Sequence, residues 1–340
     1  MTWETDHRVV VGDARDLDLP DDSVSLVVTS PPYPMIQMWD ETFAALDDRI
    51  GDALDDGDGE RAFRLMHGVL DDAWAEVARV LEPGGVACVN VGDATRTLGE
   101  FRRYPNHAMV VDALEAHGLT ALPGVLWRKP TNSATKFMGS GMLPPNAYVT
   151  LEHEFVLVFR NGGPRSLDGE RRRESAYFWE ERNEWFSDVW ELPGRRQELA
   201  GAARDRAAAY PFELPYRLVN MYSVQGDTVL DPFLGTGTTT LAALAGGRSS
   251  VGYERDPDLA ASLDGLVETA PEVARERNEE RLRGHRELVA ERRSDLAYDS
   301  RVYDFPVMTR QERDLRLPTV ESVARTDRGY RGTHDTFRPD

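Results

Sequence analysis

The chain has 340 residues, 41% of them hydrophobic and 29% charged, and its 59 acidic against 40 basic side chains leave a formal net charge of −19. This is a globular composition with material for one large α/β domain or two modest ones. It holds no 18-residue apolar run for a transmembrane helix, and its single cysteine, Cys88, excludes an internal disulfide or a two-thiolate metal site.

In chain order, residues 9–11 and 25–29 read as short strands. Residues 60–81 carry apolar side chains at helical spacing and stop at Pro83-Gly84-Gly85. A strand over 86–91, a helix over 107–117 and strands over 122–127 and 155–159 follow. Further on come a strand over 228–230, a helix over 238–245 and a strand over 249–253. Runs apolar on both faces predict a buried parallel sheet. Their alternation with helices predicts a doubly wound, mostly parallel α/β fold.

Two regions break this rhythm. Residues 161–209 are rich in arginine and aromatics, and residues 261–340 form a charged C-terminal extension. Within the latter, 272–296 reads as a solvated helix and the chain from about Ser322 as disordered. Residues 1–160 and 210–260 are then two halves of one domain, with 161–209 and the loop 128–150 inserted for recognition. The polar start, Met-Thr-Trp-Glu-Thr-Asp, leads to no expected secretory signal and a cytoplasmic location. The seven histidines are scattered, so no metal site is expected. Only two basic residues, Lys129 and Lys136, are lysines, a usage that matches a salt-loving archaeon. Net acidity normally argues against nucleic acid, but molar salt shortens electrostatic reach to about 3 Å and weakens that argument.

The glycine-rich stretch "DTVLDPFLGTGTTTLAALAGGRSSVGYERD" reads strand, turn, helix, strand. Asp231-Pro232-Phe233 leads into Gly235-Thr236-Gly237, and Thr238 opens the helix. Glycines here let the backbone approach a ligand. Glu254, 17 residues past Gly237, ends the next strand, where an acid can accept bonds from two ribose hydroxyls. Position 240 is threonine rather than a third glycine, and the lysine of a phosphate loop is missing. A nucleoside cofactor without phosphates fits, and S-adenosylmethionine is the obvious one.

The stretch "TSPPYPMIQMWD", Thr29 to Asp40, ends the second strand at two prolines. Ser30 and Pro31 each precede a proline and are driven to extended conformations. The corner therefore lies at the carboxyl edge of the sheet, where such folds bind ligands. It offers a hydroxyl on Ser30, a fixed carbonyl on Pro31 and a ring on Tyr33. Two acceptors suit the exocyclic amino group of cytosine or adenine, whose lone pair is delocalised until tetrahedral geometry localises it. Flipping such a base from a duplex costs a few kcal/mol, of which stacking on Tyr33 returns about 1–3 kcal/mol.

Ser30-Pro31-Pro32-Tyr33, followed in the chain by Asp231-Pro-Phe-Leu-Gly-Thr-Gly, resembles the amino-group DNA methyltransferases. The order, catalytic motif before cofactor motif, resembles their permuted beta group, over roughly residues 8–260. The resemblance implies a Rossmann-like methyltransferase fold, S-adenosylmethionine as cofactor, and direct methyl transfer to a flipped base of double-stranded DNA. Ser30, Pro31, Pro32 and Tyr33 are the implied catalytic residues. Asp13, Asp231, Phe233, Gly235, Gly237, Thr238 and Glu254 are the implied cofactor residues, with Asp13 near the adenine. Residues 81–93 are similar to the family's next strand, and 214–223 to the helix that closes over the methionine end. The segment Arg206-Ala-Ala-Ala-Tyr-Pro departs from the family's His-Pro-Ala-Pro-Phe-Pro and leaves contacts near Arg206 unassigned.

Serine at the first motif position resembles the cytosine-N4 enzymes; adenine-N6 transfer is the alternative, and an inactive DNA-binding protein a second one. Cytosine-C5 chemistry needs a cysteine nucleophile, and Cys88 sits inside an apolar strand. The run to Asp40 resembles archaeal enzymes that methylate CTAG. Arg165, Arg171, Arg172, Arg173, Lys129 and Lys136 are the candidate DNA contacts, since arginine can grip guanine by two bonds. Dimerisation and a paired restriction endonuclease stay open.

Overall fold

The computed structural model describes residues 2–129, 138–167, 169–194, 210–292 and 295–339. Its strands in chain order are β1 (Trp3–Val11), β2 (Val24–Thr29), β3 (Leu81–Val91), β4 (Ala94–Leu98), β5 (Glu100–Tyr104), β6 (Leu119–Arg128), β7 (Met138–Gly139), β8 (Ala147–Tyr148), β9 (His153–Asn161), β10 (Val189–Glu191), β11 (Thr228–Asp231), β12 (Ser249–Glu254), β13 (Tyr298–Asp299), β14 (Pro306–Val307), β15 (Pro318–Thr326) and β16 (Gly329–Thr336). The helices are α1 (Asp40–Ala44), α2 (Asp48–Asp55), α3 (Gly59–Val80), α4 (Asn106–Ala116), α5 (Gly169–Glu174), α6 (Trp179–Trp185), α7 (Glu213–Tyr222), α8 (Thr238–Ala245), α9 (Pro257–Ala261), α10 (Leu263–Glu268) and α11 (Ala270–Arg292).

Ten strands form one sheet in the order β10-β6-β9-β3-β2-β11-β12-β1-β16-β15. The five central strands, β3, β2, β11, β12 and β1, are mutually parallel. All six residues of β2 are buried, as its apolar run demands of a central strand. Val27 faces the layer that holds Trp74 and Val77 of α3 and Val110 of α4. Leu26 and Val28 face the opposite layer, with Leu218 of α7, Leu241 of α8 and Ala274 of α11. The doubly wound, mostly parallel α/β expectation holds.

The C-terminal extension differs from expectation. Residues 318–336 are not disordered but form an antiparallel hairpin that lengthens the main sheet, with β16 pairing to β1. The inward residues of β16 include Tyr330, Gly332 and His334, too few of them apolar for a hydropathy pattern to register. Nor is α11 merely solvated. Ala274, Asn278, Arg281, Leu282 and His285 are buried along it. Arg281 donates to Glu181 of α6 at 2.5 and 2.8 Å, so burial on this helix is carried by paired polar groups. Three of the aromatics of 161–194 are likewise internal: Phe178, Trp185 and Trp190 are each 1% exposed, whereas Phe186 is exposed.

Candidate active site

Parallel strands deliver their carboxyl ends to one edge, and the loops beyond β1, β2, β11 and β12 converge there. Between them lies a cavity of about 460 Å³, within the usual range for small-ligand sites. Ser30, Pro31, Pro32 and Tyr33 all line it, as do Asp13, Phe233, Gly235, Thr238 and Glu254. Trp39, Thr42, Phe43 and Leu46 complete the apolar wall, so the tail of the Thr29–Asp40 stretch also belongs to the site.

Asp231 and Gly237 support the cavity from outside its lining. Asp231 accepts hydrogen bonds from Thr29 Oγ1 at 2.6 Å, Thr239 Oγ1 at 2.7 Å, Tyr210 Oη at 3.3 Å and the Phe233 amide at 3.2 Å. Burial pushes its carboxyl up to about 6, against the downward pull of those donors. Gly237 has φ of +85°, and a Cβ there would fall 1.7 Å from Leu263 Cδ1. It is a packing glycine. Gly235, with φ of +56°, has only the Phe233 carbonyl near its open side, at 3.9 Å. Of the two, only Gly235 presents bare backbone to a ligand.

Glu254 accepts from the Gly235 amide at 2.9 Å and the Asp256 amide at 3.0 Å, one on each carboxylate oxygen. Each oxygen keeps a further acceptor site for a ribose hydroxyl. Asp13 is clamped by Arg15, Nε to Oδ1 at 3.0 Å and Nη2 to Oδ2 at 2.9 Å. Burial raises the Asp13 carboxyl, but Arg15 and Arg255 outweigh it and hold the group below the usual range. Asp13, Glu254 and Asp256 thus face the cavity together with Arg15 and Arg255, both of which pair with Asp13. Three carboxylates against two guanidiniums leave this wall net negative, which disfavours phosphates and suits a nucleoside bearing a positive charge. S-adenosylmethionine, a sulfonium nucleoside, suits it: Glu254 would take the ribose, with Asp13 and Phe233 nearby and Gly235 leaving room for close backbone approach.

Tyr33 is 7% exposed, and its ring belongs largely to the core. Its hydroxyl lies 2.9 Å from Ser30 Oγ, donates to Glu154 Oε2 at 2.9 Å and receives a hydrogen bond from Asn90 Nδ2 at 2.8 Å. The stacking surface expected of Tyr33 is therefore slight, and its hydroxyl makes the polar contacts. Sequence reasoning does not single out Asn90, Glu154 or Tyr210. The signal for Asn90 is one polar residue inside the apolar run of β3, and for Tyr210 its place in the segment Arg206-Ala-Ala-Ala-Tyr-Pro; Glu154 carries none beyond its type.

Among the described candidate DNA contacts, Lys129 adjoins this corner through Glu154, whereas the arginines lie elsewhere. Arg165 donates to Asp227 at 2.6 and 2.8 Å and meets Glu82 at 2.8 Å. Asp227 precedes β11, so this pair sits at the amino edge of the sheet, opposite the cavity. Arg171 donates to the Gln225 carbonyl at 2.7 Å beside the same aspartate, and Arg173 to Asp314 at 3.1 Å. Arg172 is exposed on the same short helix, α5. Lys129 pairs with Glu154 and lies 4.5 Å from the centre of the Trp127 ring. Lys136 falls outside the described residues. Arg165, Arg171, Arg173 and Lys129 are thus already engaged by carboxylates or a carbonyl.

Fold and cavity together define an S-adenosylmethionine-dependent methyltransferase. Over residues 24–263 the chain matches the N6/N4 DNA methylase family. It is 51% identical over 323 residues, 92% of this chain and 90% of the other, to the type II methyltransferase M.MthZI of Methanothermobacter thermautotrophicus. With M.MjaI of Methanocaldococcus jannaschii, also a type II methyltransferase, it shares 49% identity over 270 residues, 75% of this chain and 89% of that one. Among solved structures it resembles TTHA0409 of Thermus thermophilus, described as a putative DNA modification methylase, in complex with S-adenosyl-L-methionine. There the TM-score is 0.62 and the identity 32%, covering 78% and 94% of the two chains. The chain belongs to the N6/N4 DNA methylase family and is an S-adenosylmethionine-dependent DNA methyltransferase.

Proposed function

We infer that this chain methylates the exocyclic N4 of cytosine in double-stranded DNA. The observation that carries the reading is the seat of Ser30. It stands at the carboxyl end of β2, on the same cavity as Gly235 and Glu254, and presents a neutral hydroxyl where a carboxylate or amide would otherwise act. When bound, S-adenosylmethionine supplies an electrophilic sulfonium methyl. Ser30 Oγ accepts a hydrogen bond from the target amino group and draws its nitrogen toward tetrahedral geometry. Pro31 and Pro32 fix the chain's exit from the strand. Trp39, Phe43 and Leu46 keep water from the reacting nitrogen.

DNA is read at the same edge. The hairpin β4–β5 follows the carboxyl end of β3, and the segment holding β7 and β8 follows that of β6, which runs parallel to β3. Phe101 of the hairpin stacks on Tyr148 of the segment at 4.8 Å. Arg102 and Arg103 are exposed on the former, and Met142, Leu143 and Val149 on the latter. CTAG, implied by the resemblance of the Ser30–Asp40 run, is the first candidate site. The acidic, lysine-poor composition supports a salt-rich cytoplasm as its setting.

Methylation-sensitive sequencing of DNA from cells expressing the chain tests this. N4-methylcytosine within CTAG is the expected result. N6-methyladenine would overturn the base, and N4-methylcytosine in another sequence would correct the site alone.

A further inference from the structure

Glu154, at the head of β9, is 8% exposed and lies one hydrogen bond from the Ser30–Tyr33 corner. Gly92 makes room for that contact: a Cβ there would come within 3.1 Å of both Glu154 Cγ and Tyr33 Cε2. A carboxylate only accepts hydrogen bonds, so the one Tyr33 hydroxyl hydrogen is committed to Glu154 Oε2. Asn90 Nδ2 donates to the same carboxylate oxygen at 2.6 Å and to Tyr33 Oη at 2.8 Å. The reverse amide orientation would set Asn90 Oδ1 against the carboxylate, so Glu154 fixes Asn90 as well. The acceptor site left on Tyr33 Oη takes the Ser30 hydrogen over 2.9 Å. Ser30 then has only lone pairs to offer the cavity. Lys129 balances the other carboxylate oxygen, Oε1.

We propose that Glu154 is a positioning residue: acting through Tyr33, it makes Ser30 an acceptor for the target amino group and takes up the proton that methylation releases. The proposal rests on the amino-transfer reading above. As the amino nitrogen's lone pair forms the N–CH3 bond, the S–CH3 bond breaks with its electron pair left on sulfur. The nitrogen then holds one hydrogen too many. That proton passes to Ser30 Oγ, Ser30's own to Tyr33 Oη, and Tyr33's own to Glu154 Oε2, leaving a neutral acid beside Lys129. Burial first, and the Glu154 charge second, raise the Tyr33 phenol, so a free phenolate is avoided and the transfers run in concert.

The test is single-turnover methylation of duplex DNA by the purified protein. Glu154→Gln lowers the rate about 100-fold, the scale of lost acid–base assistance, while the S-adenosylmethionine Kd stays within about twofold. Tyr33→Phe loses as much, and adding Glu154→Gln to it costs less than about threefold more, because the two act in series. In the cofactor-free protein, the tyrosine 13C resonance that disappears in Tyr33→Phe titrates at lower pH in Glu154→Gln. A Glu154→Gln rate within about threefold of wild type, or losses that multiply in the double variant, would overturn the proposal. If Glu154→Gln does not fold, Tyr33→Phe decides by the same threshold. Nucleosides from the wild-type product separate the two ideas: N6-methyladenine overturns the base and leaves the relay standing. N4-methylcytosine with unaffected variants overturns the relay alone.

Discussion

Thr29 Oγ1 donates to Asp231 Oδ1 at 2.6 Å, joining the last residue of β2 to the last residue of β11 across 202 positions of chain. One bond thus locks the strand that presents Ser30 to the strand that presents the glycine turn. Thr29→Val keeps the shape and removes the donor. We expect a loss of about 1–2 kcal/mol in urea unfolding, the cost of leaving a buried acceptor short of a partner. Cofactor affinity should weaken with it, as the turn after Asp231 loosens. Unchanged stability would mean the bond contributes nothing.

The two turn glycines should separate by assay. Gly237→Ala drives a methyl into Leu263 and sets an alanine at φ +85°, and should destabilise the fold by about 3 kcal/mol, overpacking added to left-handed strain. Gly235→Ala meets open space, so its fold cost is the roughly 1 kcal/mol of a left-handed alanine, and the methyl weakens cofactor binding instead. Calorimetric titration with S-adenosylmethionine and urea melts of both variants check this; the opposite ranking would reassign the glycines.

What the sequence disclosed and what it withheld follow from the same physics. The strands beside Ser30 were legible because central parallel strands are apolar on both faces, and Val24–Thr29 is buried along its whole length. The corner at Pro31-Pro32 was legible because two missing donors forbid a continuing strand. The Tyr33–Glu154–Asn90 network was not, because only the register of β3 on β9 brings Asn90 beside Glu154. Nor was the hairpin β15–β16, whose inward face includes His334 and Gly332. The arginines of 165–173 suggested DNA because a sequence does not reveal that Asp227 and Asp314 are waiting for them.

Arg165→Ala should act on stability rather than on DNA. It strips the bidentate partner from Asp227, whose side chain is 2% exposed. Arg165 itself is partly solvated, so the expected loss is about 2–3 kcal/mol, below that of a fully buried pair. The salt dependence of DNA binding should keep its slope. A slope lower by about one would place Arg165 on a phosphate.

Acid should destabilise the β1–β12–β16 side of the sheet. His7 bonds Thr5 and Ser250, each at 2.8 Å, and Thr5 bonds His334 at 2.7 Å. Burial, then repulsion from His334, lowers His7 to about 3, and burial lowers His334 to about 4. An unfolded histidine protonates near 6.5, so on acidification the unfolded chain takes up protons first. Stability is therefore full above about 6.5 and falls progressively down to about pH 3, the lower of the two folded values. Urea melts at about pH 7, 5.5 and 4.5 should trace this fall, and His7→Gln should flatten it. An equally steep fall in His7→Gln would assign the acid lability elsewhere.

The central claim is that the Ser30 corner directs methyl transfer to cytosine N4. Incubating purified protein with S-adenosylmethionine and a CTAG-containing duplex, then digesting the DNA to nucleosides for mass spectrometry, tests it most directly. The account predicts N4-methylcytosine, lost when Ser30→Ala replaces the wild type while S-adenosylmethionine still binds. N6-methyladenine as the product, or undiminished transfer by Ser30→Ala, would contradict it.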